Sequence, residues 1–523
     1  MRTECGIFAA MGQQIPVEFV DTGMRNIQHR GQDSYGLITV STQSGIVSEI
    51  KEFGLLPDRL IDLQPSITSI NQTNTSEIGN ELVLGHTRYS TVAATIDKEA
   101  IQPIELSATD TTATRLPAVN IAYIAFNGNL PDVDMNMRRA LGINELEGSS
   151  DTFLFRAIWQ RMEKQKQKEK KNSRDGWELE DIAVEFVQYC ITRIPGAYSC
   201  VILVGDKLIG FRDRYGYKPL WCYWDTITSP NGVRGFVSET VQLGQTNISS
   251  NRHKLVEVPA GAFIVLDAAC QATGQPIINR VLGLPDRELS RCSMEAIYFM
   301  QDSSLIRYDD LAMDAGIVSV RDIKYRLGTQ LAKEELGCPP GTPFPQGTQV
   351  IYVPESSYPL GLAYSREMGL EFVPNAITKI YNIRSFIESN TEARVGKIKR
   401  KFEFAFDMIT SQDVIIIDDS LVRGNTMNYI ISQLRASLPD VRIHIRIASP
   451  VLKDRCWFGI DIAERNELIY WQTGADLSGL QDYLKVASIQ YLSVDGLQSV
   501  LGPGYCQFCF GVESSGNRQT LEW

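Results

Sequence analysis

The sequence has no run approaching the ~18 apolar residues of a membrane span; apolar stretches such as Val201–Val204 are strand-sized. It has no excess of positive charge. Lys and Arg number 51 against 62 Asp and Glu, a net charge of −11, so the electrostatic case for nucleic acid or an anionic membrane is missing. Met1 to Met11 carries no signal-peptide apolar core, and no internal repeat or low-complexity tract stands out. Also absent are a Gly-Lys-Ser/Thr phosphate loop, a Ser-Gly-Gly-x-Asp-Ser ATP loop and a helix-turn-helix pattern. These absences leave a cytosolic globular protein as the expectation, with neither membrane nor nucleic acid as partner.

What is present fits that class. Of 523 residues, 43% are hydrophobic and 22% charged, and roughly 150 residues per domain suggests about three cores. To about Asp286, short strands and polar turns dominate, as in Ala118–Phe126, Ser199–Val204 and Val258–Leu266. Helical spacing interrupts them at Phe153–Met162, behind Asp151, and at Leu179–Thr192. Between these, Glu163–Asp175 is rich in Lys, Gln and Glu, the composition of a solvated helix end and loop. From about Met313 strands and helices alternate: Gln349–Val353, Leu360–Met368, Asp413–Ile417, Met427–Leu438 and Arg442–Ala448. That alternation predicts a parallel, doubly wound sheet.

Ten cysteines in a reducing compartment are thiols, metal ligands or a nucleophile before they are disulfides. Cys5, followed by Gly6 and a β-like run, is an odd place for a core cysteine. Cleavage before it would free an α-amine, ordinarily ionising at about 7.7–8.0, to act as base for its own thiol. Arg30 in His29–Ser34 and Arg88 in Gly85–Thr91 lie in Gly- and Ser-containing turns, and arginine pairs bidentately with an α-carboxylate. Asn127-Gly128-Asn129 follows a strand, where a side-chain amide and a backbone N–H can face a developing oxyanion. Asp151 offers a carboxylate to a substrate ammonium. Each has an ordinary reading too: a surface ion pair, a hairpin turn, a helix N-cap.

In the second half, the β-branched run Val414–Ile417 ends in Asp418-Asp419. It continues through Ser420-Leu421-Val422-Arg423-Gly424-Asn425-Thr426 into a helix expected from Met427. Loop N–H groups and a helix N-terminus form an anion site, while adjacent acids suit ribose hydroxyls and Mg²⁺. Cys506-Gln507-Phe508-Cys509 is a CxxC pair whose spacing leaves redox, zinc and iron–sulfur roles open.

Taken in order, Cys5 to about Glu239 resembles the class II (N-terminal nucleophile) glutamine amidotransferase domain. The likeness includes Arg212-Asp213-Arg214-Tyr215-Gly216-Tyr217-Lys218-Pro219-Leu220 and Ser238-Glu239-Thr240. Asp418–Thr426 resembles the phosphoribosyl pyrophosphate (PRPP) site of type I phosphoribosyltransferases. Over nearly the whole chain the combination resembles the amidophosphoribosyltransferase family, in its iron–sulfur, propeptide-bearing branch.

The resemblance implies a propeptide at 1–4 and an αββα glutaminase sandwich at 5–285. A Rossmann-like phosphoribosyltransferase domain at 286–480 and a C-terminal extension at 481–523 would follow. It implies Cys5 as nucleophile, Asn127 and Gly128 as oxyanion hole, and Arg30, Arg88 and Asp151 for glutamine. Asp418 and Asp419 would hold the ribose and, with Ser357, Mg²⁺. Ser420, Val422, Arg423, Gly424, Asn425 and Thr426 would take the 5′-phosphate side, and Arg384 and Lys401 the rest of PRPP. Cys292, Cys456, Cys506 and Cys509 match ligand contexts that imply a [4Fe–4S] cluster rather than zinc.

The implied reaction moves ammonia from glutamine to C1 of PRPP, the first step of purine synthesis, with a flexible loop around Tyr381–Arg384 closing over the site. Homotetramers are implied as well. Several positions depart from the family pattern: Phe126 for His, Tyr35 for a small residue, and Lys218 for Arg. Met300-Gln301 replaces Arg-Pro, Thr378 and Ile380 replace a Lys and an Arg, Ile383 replaces Gly, and Asp407 replaces Arg. From them follows one alternative, a paralogue acting on another phosphosugar; a separate one is a non-catalytic PRPP-sensing regulator, which the acidic balance and the missing helix-turn-helix pattern oppose.

Overall fold

The structure, a computed structural model, describes residues 5–41, 47–58, 60, 77–89, 98–107, 121–130, 151–170, 179–225, 232–244, 253–267, 277–281, 290–308, 316–337, 344–380, 402–456, 458 and 465–512. The chain divides into two units at Arg291/Cys292. In the first, the strands are β1 (Gly6–Pro16), β2 (Ser34–Ser41), β3 (Val47–Phe53), β4 (Glu77–Arg88), β5 (Ile104–Glu105), β6 (Ala122–Asn129) and β7 (Ala197–Val204). They continue as β8 (Lys207–Arg212), β9 (Trp221–Asp225), β10 (Arg234–Val237), β11 (His253–Glu257), β12 (Ala262–Leu266) and β13 (Ile277–Arg280). The helices are α1 (Val17–Asn26), α2 (Asp151–Lys170) and α3 (Leu179–Arg193).

Period-two alternation sorts these strands into layers. Ile7, Ala9 and Met11 of β1 share a buried cluster with Val201 and Leu203 of β7 and Ile264 of β12. Phe8 and Ala10 point the other way, onto Val17, Val20 and Met24 of α1. On the far side Cys200, Ile202 and Val204 pack against Phe155 and Trp159 of α2 and Ile182 and Phe186 of α3. The seven-stranded sheet β11-β9-β10-β1-β4-β2-β3 therefore faces the six-stranded sheet β13-β12-β8-β7-β6-β5, with helices outside both. That is the αββα sandwich the resemblance implied. Helix α2 runs on to Lys170, so Glu163–Lys170 is the helix end its composition suggested, Lys, Gln and Glu being good helix formers on a largely solvated face.

The second unit holds β15 (Leu305–Tyr308), β16 (Gly316–Ser319), β17 (Gln349–Tyr352), β18 (Glu371–Phe372), β19 (Ile377–Lys379) and β20 (Phe402–Phe404), preceded by β14 (Arg291–Cys292) at the division. After these come β21 (Asp413–Asp418), β22 (Arg442–Ile447), β23 (Ser488–Tyr491) and β24 (Tyr505–Cys506). Its helices are α4 (Val320–Gly337), α5 (Tyr358–Met368), α6 (Asn425–Ser437), α7 (Ile469–Gln472), α8 (Leu477–Leu484) and α9 (Val494–Leu501). Five parallel strands form a sheet in the order β18-β17-β21-β22-β23. Val414–Ile417 are all buried, as a strand covered on both faces requires. The strand order reverses between β17 and β21, and ligands of such sheets bind at the carboxyl edge of that switch point. Among the described residues no helix is long and apolar enough to cross a membrane.

Candidate active sites

Cys5 precedes β1 with the parity of Ile7, so it belongs to the face turned toward the second sheet; Asn127 has the parity of Tyr123 and Ala125 on that sheet. The two meet: the backbone N–H of Cys5 donates to Asn127 Oδ1 at 3.3 Å. Asn127 is fully buried, and its Nδ2 has no hydrogen-bond partner. A buried donor left unpaired costs about 1–3 kcal/mol, a cost that an arriving oxyanion would relieve. At Gly128 a Cβ would lie 2.3 Å from Ala197 O and 2.7 Å from Tyr198 Cβ, so the close approach of β7 demands glycine.

The pairing Gly6↔Thr87 places Arg88 beside Cys5 along the β1–β4 ladder, and Arg88 donates to Ala100 O at 2.7 Å. Asp151 opens α2, and its carboxylate accepts the Leu130 N–H at 2.9 Å, tying that helix to the strand end that carries Asn127 and Gly128. Arg30 is buried, with Nε donating to Cys5 O at 3.1 Å and Nη1 to Glu239 Oε1 at 2.7 Å. Direct contacts thus join Cys5, Asn127 and Arg30.

Four supporting groups had no role in the sequence reading. His86 Nε2 donates to Phe126 O at 3.0 Å and the Phe126 N–H donates to Gln102 Oε1 at 2.6 Å. Together they clamp the peptide groups just before Asn127. The Phe126 ring faces the helix layer, against Phe155 at 5.2 Å and Tyr198 at 6.3 Å, so its departure from the family pattern lies on the face opposite Asn127. Glu239 and His29 are the other two, paired at 2.9 Å. The Arg212–Leu220 motif is a brace: the Asp213 carboxylate accepts the N–H groups of Tyr198, Tyr215, Gly216 and Tyr217.

Burial pushes His86 down from 6.5 to about 3. Between those values the unfolded chain binds a proton that the folded protein refuses, so stability rises with pH across the window. The contribution is complete above 6.5 and is lost as the pH falls toward 3, at up to about 1.4 kcal/mol per pH unit. Denaturation midpoints measured between pH 6.5 and 4.5 should fall more steeply for the native protein than for His86→Asn. Parallel curves would contradict a neutral buried imidazole.

At the switch point of the parallel sheet, Asp418 ends β21 and its Oδ1 accepts Ser357 Oγ–H at 3.1 Å and the Asp419 N–H at 2.9 Å. Asp419 accepts hydrogen bonds from Ser356 Oγ and, at 2.9 Å, from Ser420 Oγ. Ser356, absent from the sequence reading, reaches the site because β17 lies next to β21 and leads into this turn. Burial raises the Asp419 carboxyl, opposed by the Ser356 hydrogen bond and the Lys324 charge. Lys324 is itself buried on α4 and donates to Asp302 Oδ1 at 2.8 Å.

Helix α6 starts at Asn425, two residues before the expected Met427, because Gly424 takes φ +74° as its N-cap. A Cβ on Gly424 would sit 2.2 Å from Ile469 Cδ1. The loop is held further by the Ile469 N–H, which donates to Val422 O at 2.8 Å. Arg423 pairs with Glu467. The paired acids, Ser357 and the Ser420–Thr426 loop therefore surround one sheet edge. Arg384 and Lys401, the Tyr381–Arg384 loop and residues 1–4 lie outside the described residues.

The strands carrying Cys292 and Cys506 are paired, and Ser293 Oγ donates to Cys506 O at 2.5 Å. Burial pushes the Cys509 thiol well above its ordinary value, with further upward contributions from Cys506, Cys456 and Cys292. Among the described residues, no group of three or more His, Cys, Asp or Glu side chains is placed so that it could hold a metal ion.

An αββα sandwich headed by a cysteine, followed by a parallel sheet with paired acids at its switch point, defines a class: a glutaminase-type domain joined to a phosphoribosyltransferase-type domain. No family model matches the chain. It is 28% identical over 528 residues to human amidophosphoribosyltransferase, covering 96% of this chain and 90% of that protein. To the chloroplastic amidophosphoribosyltransferase 2 of Arabidopsis thaliana it is 27% identical over 522 residues, covering 97% and 78%. The solved glutamine PRPP amidotransferase from B. subtilis, complexed with ADP and GMP, matches its fold with a TM-score of 0.71 at 22% identity, over 98% of this chain and 97% of that one. The chain is a divergent homologue of the amidophosphoribosyltransferases. These relatives favour neither the paralogue with another acceptor nor the PRPP sensor.

Proposed function

We propose that this protein is an amidophosphoribosyltransferase, splitting glutamine in its first unit and aminating PRPP in its second. The carrying observation is the pairing of Cys5 with a buried Asn127 whose Nδ2 is unpartnered. In this reading the Cys5 thiol gives its proton to the α-amine freed by removal of residues 1–4, and the sulfur attacks the glutamine side-chain carbonyl carbon. Asn127 and the Gly128 N–H hold the oxyanion, and the C–N bond breaks as the amine returns the proton to the departing ammonia. Water then hydrolyses the thioester to glutamate. Arg88 and Asp151 take the substrate's α-carboxylate and α-ammonium.

In the second unit Asp418 and Asp419 bind the ribose hydroxyls, and loop N–H groups from Ser420 to Thr426 bind the 5′-phosphate. Asp418, Asp419 and Ser357 supply hard oxygen donors fit for Mg²⁺, whose charge would steady the departing pyrophosphate. Ammonia attacks C1 as the bond to pyrophosphate breaks, giving 5-phosphoribosylamine, the first step of purine synthesis. The test is product identification with purified protein: glutamine plus PRPP should yield phosphoribosylamine, pyrophosphate and glutamate in equal amounts. Glutamate without pyrophosphate would sink the second half.

Cys292, Cys456, Cys506 and Cys509 are assigned to a [4Fe–4S] cluster, for which four thiolates are the usual set. Supporting this, the strands that carry Cys292 and Cys506 are paired, and Ser293 Oγ donates to Cys506 O at 2.5 Å; binding a metal would have to deprotonate the buried Cys509 thiol. Anaerobically prepared protein should contain iron and acid-labile sulfide in equal amounts, with Cys506→Ser losing both. Zinc in place of iron would overturn the assignment.

A further inference from the structure

We propose that Glu239 is a positioning residue for the Cys5 nucleophile, acting through Arg30; the inference rests on the glutaminase reading above. Ser238-Glu239-Thr240 carries no chemistry in that mechanism, yet the segment grips the head of β1. The Ile7 N–H donates to Ser238 Oγ at 2.9 Å, and the Ser238 N–H and Gln242 Nε2 both donate to Ile7 O at 3.0 Å. These contacts hold the strand two residues beyond Cys5.

Glu239 has no solvent exposure. Its Oε1 receives both Arg30 Nη1, at 2.7 Å, and His29 Nε2, at 2.9 Å. The Arg30 side chain is equally buried. A guanidinium is a planar, rigid fork, so anchoring Nη1 on Glu239 fixes the direction of Nε, which donates to Cys5 O at 3.1 Å. The sequence offered Arg30 to a substrate carboxylate; in the folded protein a carboxylate from its own chain is already bound to it. The chain Glu239–Arg30–Cys5 therefore sets where the nucleophilic residue lies, and a displacement of about 1 Å at a nucleophile can cost on the order of 100-fold in rate.

The experiment is alkylation of Cys5 by iodoacetamide, which has no α-carboxylate, followed by mass spectrometry on the full chain. It runs beside KM and kcat for glutamine, in Glu239→Gln and in Arg30→Lys. The lysine keeps a cation for Glu239, so the buried pair survives folding, but one ammonium on a flexible stem does not reproduce the fixed fork. Both variants should alkylate at least about 10-fold more slowly and lose kcat to match, with KM within about two-fold. Unchanged alkylation with a raised KM would overturn the proposal and return Arg30 to the substrate. A collapsed unfolding midpoint in Arg30→Lys would also overturn it, making the contact architectural. If unmodified Cys5 neither alkylates nor splits glutamine, the glutaminase reading itself falls, an outcome distinguishable from both.

Discussion

Replacing Cys5 by alanine should remove glutamine-dependent turnover by about 10³-fold or more, while ammonia-dependent turnover from PRPP stays near its original rate. The asymmetry follows from the division of labour. Without the sulfur there is no thioester and no route to release the amide nitrogen, and the remaining oxyanion donors act on nothing. Free ammonia bypasses that step and reaches C1 of PRPP by the same attack. The deletion is small, one thiol at a half-buried position beside Asn127, so the sandwich should keep its packing. Two separate assays, glutaminase by glutamate release and synthase by pyrophosphate release with ammonium salt, decide the point. Equal loss of both activities would falsify the assignment of one reaction to each unit.

Asp419→Asn should do the opposite, lowering synthase activity with either nitrogen source by about 10²–10⁴-fold. Each charge-assisted hydrogen bond is worth roughly 1.5–3 kcal/mol, and this carboxylate is assigned two partners, a ribose hydroxyl and Mg²⁺. Ser356 and Ser420 donate to Asp419, and the amide oxygen of asparagine can still accept from one of them, so the loop should persist. Glutaminase measured alone is expected to survive. A variant that loses glutaminase and retains ammonia-dependent synthesis would invert the prediction and remove Asp419 from the PRPP site.

Much of this was legible in the chain order of residues. Period-two apolar runs marked the sandwich strands, and the β-branched Val414–Ile417 run marked a strand buried on both faces. The acids at Asp418-Asp419 stood out as candidates for ligand binding because no core strand needs two carboxylates at its end. Helix α6 was misjudged at its start since the deciding feature, the left-handed Gly424 packed against Ile469, comes from a segment 45 residues downstream.

What the sequence determined by itself was therefore the layers of the fold and the candidate groups they carry, because periodicity and short motifs are properties of contiguous residues. What only the tertiary structure decided was which groups face one another. Arg30 bonds to Glu239 from 209 residues away, Ser356 to Asp419 across 63, and the strand of Cys292 pairs with that of Cys506. Such pairings depend on strand order and on burial, which removes water as the competing partner and makes an unpaired charge costly. No local pattern records that cost.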